Sequence, residues 1–166
     1  MKEADRISDR ENENMAQEYW DTEIERELQH FRPPAEKLTI RDCADLISRL
    51  TRNGRKALEE HLQDYDDILL HIFASEQIND PLLSMLGKNP LPQRSIENYC
   101  KVIEIMWQYG DEAVVNVVDV TILERLSYED ALWQRFGKFI SEEFKEYINT
   151  DVLIYNLMMS GVRPLA

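Results

Sequence analysis

The sequence contains little glycine and little cysteine, and both shortages exclude classes of site. Only five glycines occur in 166 residues, and they form no Walker loop, Gly-x-Gly-x-x-Gly run or Gly-x-Ser-x-Gly elbow. The two cysteines, Cys43 and Cys100, are distant in the sequence and match no disulfide framework or zinc-ligand spacing. We therefore expect no phosphate-binding loop, no nucleophile motif, no cofactor and no enzymatic activity.

Positive charge is also scarce. The chain has 19 basic residues against 32 acidic ones, a net charge of −13 that is spread along its length. Such a field repels nucleic acid and anionic lipid, and it accelerates encounters with cationic proteins. Ordinary solubility explains the charge equally well. The one basic patch, Arg49, Arg52, Arg55 and Lys56, surrounds a turn and is interpreted as a solvated helix end.

Long apolar runs are missing as well. No segment approaches the roughly 18 uninterrupted apolar residues of a membrane span, and the first 14 residues contain no apolar run of the kind found in a signal peptide. We therefore expect a cytoplasmic protein with reduced cysteines. The length suits a single domain over residues 1–166, with a flexible polar start at 1–14 and a proline-rich linker near 87–93.

Apolar residues that recur at three- and four-residue steps predict seven or eight helices and no strand. Thr39, with Asp42 three residues later, is a predicted helix cap. The predicted helices cover about 15–31, 40–52, 55–77 with a break near 64, 80–87, 96–110, 112–125, 128–148 and 152–160. The predicted fold class is all-α, either an irregular helical bundle or stacked α-α layers.

The valine-rich segment from Val114 to Ile122 is the ambiguous part of this prediction. Its β-branched residues favour a strand by propensity. The apolar run is nevertheless longer than a typical strand, and its polar residues do not alternate with period two. A helix that is apolar on most sides is a buried one. We therefore predict a central helix here.

Two groups of residues have spacings that suggest a metal, and both are interpreted as structural. His61, Asp64, Asp67 and His71 share one sector of the predicted third helix, but successive helical turns spread ligands about 5 Å apart. Glu27 and His30 have the Glu-x-x-His spacing of di-iron bundles, without the second such motif that those proteins require. We predict no metal site.

Asn116 and Asp119 lie one turn apart in the most apolar predicted helix. A buried carboxylate is costly unless it is paired or hydrogen-bonded. Arg125 and Arg135 are near in sequence. We predict that the four residues form a buried polar network, with a ligand or partner site as the alternative.

Two carboxylate-dense stretches, Glu59–Asp67 and Glu142–Glu146, are the candidate contact surfaces for a cationic partner. Carboxylates in a row can mimic the phosphates that a nucleic-acid-binding protein attracts. A solvated helix face is the alternative for both. The candidate contact residues are Glu59, Glu60, Asp64, Asp66, Asp67, Glu142, Glu143 and Glu146.

The C-terminal third carries runs that resemble a family of small, uncharacterised bacterial all-helical domains. These runs are NVVDVTILERL, from Asn116 to Leu126, and WQRFGKFIS, from Trp133 to Ser141. The resemblance covers about 60 residues and implies no assigned activity. Acidic members of such families resemble immunity proteins, which block polymorphic toxins by binding them.

Two functional hypotheses follow. The first is an immunity-type inhibitor that covers the active site of a basic toxin domain, and the expected toxin is a nuclease. The second is a helical adaptor, or a bundle that binds a small ligand or a metal, with no toxin partner. The sequence does not indicate an oligomeric state.

Overall fold

The computed structural model describes residues 3–157 and 160–166, with side chains except those of 154–157. Over these residues the chain forms eight helices and no strand, so the all-α prediction is confirmed. The helices are α1 (Glu3–His30), α2 (Ile40–Leu50), α3 (Gly54–Tyr65), α4 (70–86), α5 (Gln93–Tyr109), α6 (112–126), α7 (Asp130–Gly137) and α8 (142–157).

The valine-rich segment is helical and central, as its pattern predicts. It forms α6, and its buried side chains include Val114, Val117 and Val118. This helix packs against α2, α4, α5 and α8. Because it has neighbours on most sides, an apolar sequence around most of its circumference is stable there.

Three of the helices contain a widened segment in which backbone hydrogen bonds span five residues. These segments are Ser75–Asn79 in α4, Val118–Leu123 in α6 and Ile148–Leu157 in α8. They lie side by side, that of α6 between the other two. The buried Asn79 side chain donates to the carbonyl of Ile122 at 3.0 Å. An acceptor inside the widened segment of α6 is thereby satisfied from α4.

The helix cap predicted at Thr39 is confirmed, and the structure shows a second capped helix start at Asp111. The Thr39 hydroxyl accepts from the Asp42 amide at 3.2 Å, and the Asp42 carboxylate accepts from the Thr39 amide at 2.9 Å. Asp111 caps α6 by accepting from the Val114 amide at 3.0 Å. Leu38, just before α2, pairs with the α5–α6 turn, because its carbonyl accepts from the Asp111 amide at 2.8 Å.

The described part of the segment predicted as a flexible polar start, residues 3–14, is helical. Helix α1 begins at Glu3, and its residues up to Met15 are helical but exposed. Only the second half of α1 has a face on the core, where Ile24 is buried among α2 and α5. The apolar periodicity therefore begins later than the helix does.

The break predicted near Asp64 in the third helix is confirmed, because this helix ends at Tyr65 and residues 66–69 form a turn in which Asp66 has φ 57°. The predicted extent of one later helix is wrong. The long helix predicted over 128–148 is two helices, because Ser141 caps α8 by accepting from the Phe144 amide at 3.2 Å. The predicted last helix is the continuation of α8, and its Met158 lies outside the described residues.

The linker predicted near 87–93 is a loop between α4 and α5. Both cysteines are buried, and burial raises the pKa of the Cys43 thiol to about 12. Within the described part of the chain, none of the helices combines the length and the apolar character needed to cross a membrane.

Candidate partner-binding face

The first predicted acidic stretch lies at the C-terminal end of α3 and in the turn to α4. All of its candidate carboxylates are exposed, and among the described residues none has a cation within 4 Å. These carboxylates belong to Glu59, Glu60, Asp64, Asp66 and Asp67. They concentrate negative charge at this end of the molecule.

The buried His61 side chain stabilises this turn through contacts with α3, the turn and α4. The side chain is only 4 % exposed, and its Nε2 accepts from the Leu69 amide at 2.9 Å. The ring lies 4.8 Å from that of Tyr65 and 5.3 Å from that of Phe73, measured between centroids. The buried Nδ1 has no hydrogen-bond partner among the described residues. His61 therefore joins α3, the turn and α4 as a structural residue.

The four residues considered for a metal are not brought together. His61 is buried, whereas Asp64 and Asp67 are exposed. His71 lies on α4, where its Nδ1 is 2.5 Å from the Thr121 hydroxyl of α6. The described residues contain no cluster of three or more histidine, cysteine or acidic side chains suited to a metal ion. Placing these residues on one helix was wrong, because the chain turns between α3 and α4.

The outer side of α6 connects the α3–α4 turn to α8. On one flank, Thr121 contacts His71. On the other flank, both oxygens of the half-buried Asp119 carboxylate accept from the Tyr147 hydroxyl, at 2.9 and 2.8 Å. Burial raises the pKa of Asp119, although the Tyr147 hydrogen bond opposes that shift. Val120 lies between the two flanks and is exposed.

The predicted buried polar network does not form. Asn116 is exposed on the outer side of α6, and Asp119 is paired with Tyr147 of α8. Arg125 donates to the Ser75 hydroxyl at 2.8 Å and pairs with Asp80, both on α4. The Arg135 guanidinium donates to the Leu86 carbonyl at 2.7 Å.

The reason is geometric. Residues that are close in sequence point from α6 and α7 toward different neighbours, so the two arginines never reach the Asp119 carboxylate. The partner that Asp119 does have is 28 residues further along the chain. The helical periodicity assigns Tyr147 to the core, so the sequence gives no indication that its hydroxyl bonds to a carboxylate.

The second predicted acidic stretch forms the start of α8. Glu142, Glu143 and Glu146 are exposed. A helix N-terminus favours negative charge, so this position stabilises the first two of them. Lys145 lies 3.4 Å from Glu142, and no described cation reaches Glu143 or Glu146. The start of α8, the outer side of α6 and the α3–α4 turn together form what we call the acidic face.

The carboxylates of α1 are arranged differently. Glu25 accepts from Arg94 of α5 at 2.5 and 2.8 Å, and this guanidinium lowers the pKa of the carboxyl. Glu13 accepts from Arg52 at 2.6 Å. A cleft of about 620 Å³ between α1 and α5 carries side chains of both signs. Sequence reasoning missed these pairs, because their partners are dozens of residues apart.

One comparison with known proteins gives a match. A family described as a domain of unknown function, DUF7674, matches residues 54–156. That segment begins with α3 and contains every candidate residue of the acidic face, whereas α1 and α2 precede it. No curated protein and no solved structure matches the chain.

Proposed function

The chain belongs to the DUF7674 family, and we propose that it is a binding protein, an immunity-type inhibitor that neutralises a bacterial toxin domain through its acidic face. The proposed partner is a basic domain, most readily a nuclease, because a nuclease must itself attract phosphates. The inhibitor would act in the cytoplasm by direct contact and without catalysis. It would need no cofactor.

One observation supports this proposal above the others. Of the eight candidate contact carboxylates, only that of Glu142 has a described cation within 4 Å. Exposed charges of one sign repel one another in the free chain. A cationic partner removes that repulsion. Four of the ten carboxylates of α1, those of Glu13, Glu23, Glu25 and Glu27, already contact an arginine within the fold.

The arrangement also fits the kinetics that an inhibitor needs. A toxin must be captured before it acts, and complementary charge raises association rates far above those of neutral surfaces. Carboxylates on exposed helix ends can occupy the positions where a nuclease holds phosphates. We therefore expect association with the partner to slow steeply as salt concentration rises.

The proposal requires a basic toxin domain encoded beside the gene, and co-expression with that domain tests it; a gene without such a neighbour would contradict the proposal. Charge reversal at each end of the acidic face, as Asp66→Lys with Asp67→Lys or as Glu142→Lys with Glu143→Lys, should abolish or weaken protection. It should also slow association at least about tenfold at low salt. The matched control reverses two exposed carboxylates at the start of α1, as Asp5→Lys with Glu11→Lys, and should protect as the wild type does.

Full protection by both charge-reversed variants would contradict the use of this face. So would an association rate that does not respond to salt. Circular dichroism and melting temperature should match the wild type in all variants, so that a loss of protection reports contact rather than unfolding.

A further inference from the structure

Exposed apolar side chains concentrate around the α3–α4 turn. Nine large apolar side chains are exposed among the described residues, and four of them lie between Leu62 and Ile72. A fifth, Val120, is next to the Thr121 that contacts His71. Each of the five is at least 36 % exposed. A grouping of this kind, unlike scattered apolar residues, marks an interaction site.

Contacts with His61 and backbone hydrogen bonds place the residues of the turn near one another. Tyr65 packs on the His61 ring, and the Leu69 amide donates to the same ring. The Leu69 carbonyl accepts from the Ile72 amide at 3.1 Å, which places the two residues in one turn. Leu62 lies on α3 one turn before Tyr65. We call Leu62, Tyr65, Leu69, Ile72 and Val120 the apolar patch.

Carboxylates form the rim of the apolar patch. Asp66 and Asp67 lie between Tyr65 and Leu69, and Glu59 lies one turn before Leu62 on α3. An apolar centre with a polar rim is the usual anatomy of a protein interface, and an exposed tyrosine is a frequent hot-spot residue. The buried His61 side chain, which accepts from the Leu69 amide, holds the turn beneath this surface, so little ordering is required on binding.

The rim argues against a second copy of this chain as the occupant. A symmetric dimer apposes the same surface on both subunits. The carboxylates of one copy would then face those of the other, and like charges at an interface are costly. A cationic occupant avoids that cost and neutralises the rim.

We propose that the apolar patch docks an amphipathic cationic segment of the partner, with apolar side chains on Tyr65 and Leu69 and with lysines or arginines against Glu59, Asp66 and Asp67. This proposal rests on the proposed function, since it assumes that the acidic face binds a basic protein. It adds that the apolar contacts slow dissociation of the complex, whereas the charges accelerate association with the partner. Removal of patch side chains should therefore accelerate dissociation and leave the association rate nearly unchanged.

Two synthetic peptides test this assignment on the intact chain. One is a leucine–lysine amphipathic helix of about four turns, and the other is an oligolysine of equal charge. The wild type should bind the amphipathic peptide at least about tenfold more tightly than the oligolysine. Tyr65→Ser and Leu69→Ser should each remove most of that preference. Fluorescence anisotropy with labelled peptides measures both affinities.

Tyr128→Ser and Met15→Ser are the matched controls, because both side chains are exposed and lie outside the apolar patch. They should bind both peptides as the wild type does. Since all four replaced side chains are exposed, the variants should fold, and circular dichroism checks that they do. Ile72→Ser provides a further patch variant if one of the first two loses structure.

Each other outcome has a separate meaning. Equal binding of both peptides, unchanged by the patch variants, would overturn the apolar patch while leaving the acidic face intact. Binding of neither peptide would contradict the proposed function itself. A dimer in sedimentation that Tyr65→Ser dissociates would assign the patch to a second copy and overturn the cationic partner.

Discussion

Two acidic regions of this protein differ in what their carboxylates do. Three of those on α1 are engaged within the fold: Glu13 contacts Arg52, Glu25 contacts Arg94 and Glu27 contacts Arg49, and all three arginines lie outside α1. Those around the α3–α4 turn contact no described cation, although they belong to the same strongly acidic chain. The net charge alone does not distinguish the two. The difference teaches that only carboxylates without internal partners are available for recognition.

The contrast extends to burial. Asp21 of α1 is 6 % exposed, and its oxygens accept from the Ser95 hydroxyl at 2.9 and 2.7 Å. Gln17 donates to the same carboxylate at 3.2 Å. Acidic residues thus attach α1 to α5 by specific bonds, whereas the acidic residues of the α3–α4 turn are exposed and bond to no other helix. Stability should respond to mutation on the first side and binding on the second.

The largest effect on stability is expected from Asp21→Ala. The substitution leaves the buried Ser95 hydroxyl without the carboxylate to which it donates, which costs about 1–3 kcal/mol of unfolding free energy. The Gln17 amide keeps the Ser95 oxygen as an acceptor. Urea denaturation measures the loss. Glu18→Ala, an exposed carboxylate one turn earlier in α1, is the control and should unfold as the wild type does. If both variants lost equal stability, α1 would not be attached through Asp21.

Smaller changes in melting temperature are expected when one carboxylate of each region is neutralised, by Glu25→Gln in α1 and by Glu59→Gln in the acidic face. Glu25→Gln weakens an exposed ion pair with Arg94, so the melting temperature should fall by about 2 °C or less near pH 7. Glu59→Gln relieves repulsion among unpaired carboxylates, so the melting temperature should stay the same or rise slightly.

The pH dependence sharpens this prediction. The arginine lowers the pKa of Glu25 below its ordinary value of 4.5. The stability that this carboxylate contributes is present above that value and is lost as pH falls through the lowered folded-state pKa. The difference between wild type and Glu25→Gln should therefore vanish in acid. A Glu59→Gln variant that lost as much stability as Glu25→Gln would remove the distinction between the two regions.

The helical elements were predictable because they depend on local patterns. Apolar periodicity identifies α5 and the central α6, and Thr39 with Asp42 announces the start of α2. The break before α8 has a local signal, because Ser141 is a good capping residue. The apolar periodicity continues on both sides of Ser141, however, and so predicted one uninterrupted helix. The widened segments were not predictable. Their geometry depends on packing between α4, α6 and α8, including the bond from Asn79 to Ile122.

The candidate site was predictable only in part. Exposure of the acidic stretches follows from their composition. The apolar patch does not, because Leu62, Tyr65, Leu69 and Ile72 have the spacing of core residues. Their exposure is a consequence of the turn at 66–69, where His61 takes the buried position instead. The Asp119–Tyr147 pair likewise requires the packing of α8 on α6, which no local pattern encodes.

Asp119 gives the last and smallest effect, with a sign opposite to that of Glu25. Burial raises its folded-state pKa above the ordinary value of 3.8, and Asp151 adds to the shift. A raised pKa contributes stability below the ordinary value, and that contribution is lost as pH rises through the folded-state pKa. The ionised carboxylate therefore slightly destabilises the folded state near pH 7.

Asp119→Asn keeps an acceptor for Tyr147 and removes the charge. Its melting temperature should therefore rise by about 1–2 °C at pH 7 and match that of the wild type below about pH 3.8. Tyr147→Phe is the paired variant: it leaves the carboxylate without its donor and should lower the melting temperature at pH 7. Thermal melts of all three proteins from pH 3 to 8 measure the curves. If Asp119→Asn melted below the wild type at pH 7, the carboxylate would support the fold, and Asp119 would belong with the paired carboxylates of α1 instead of with the acidic face.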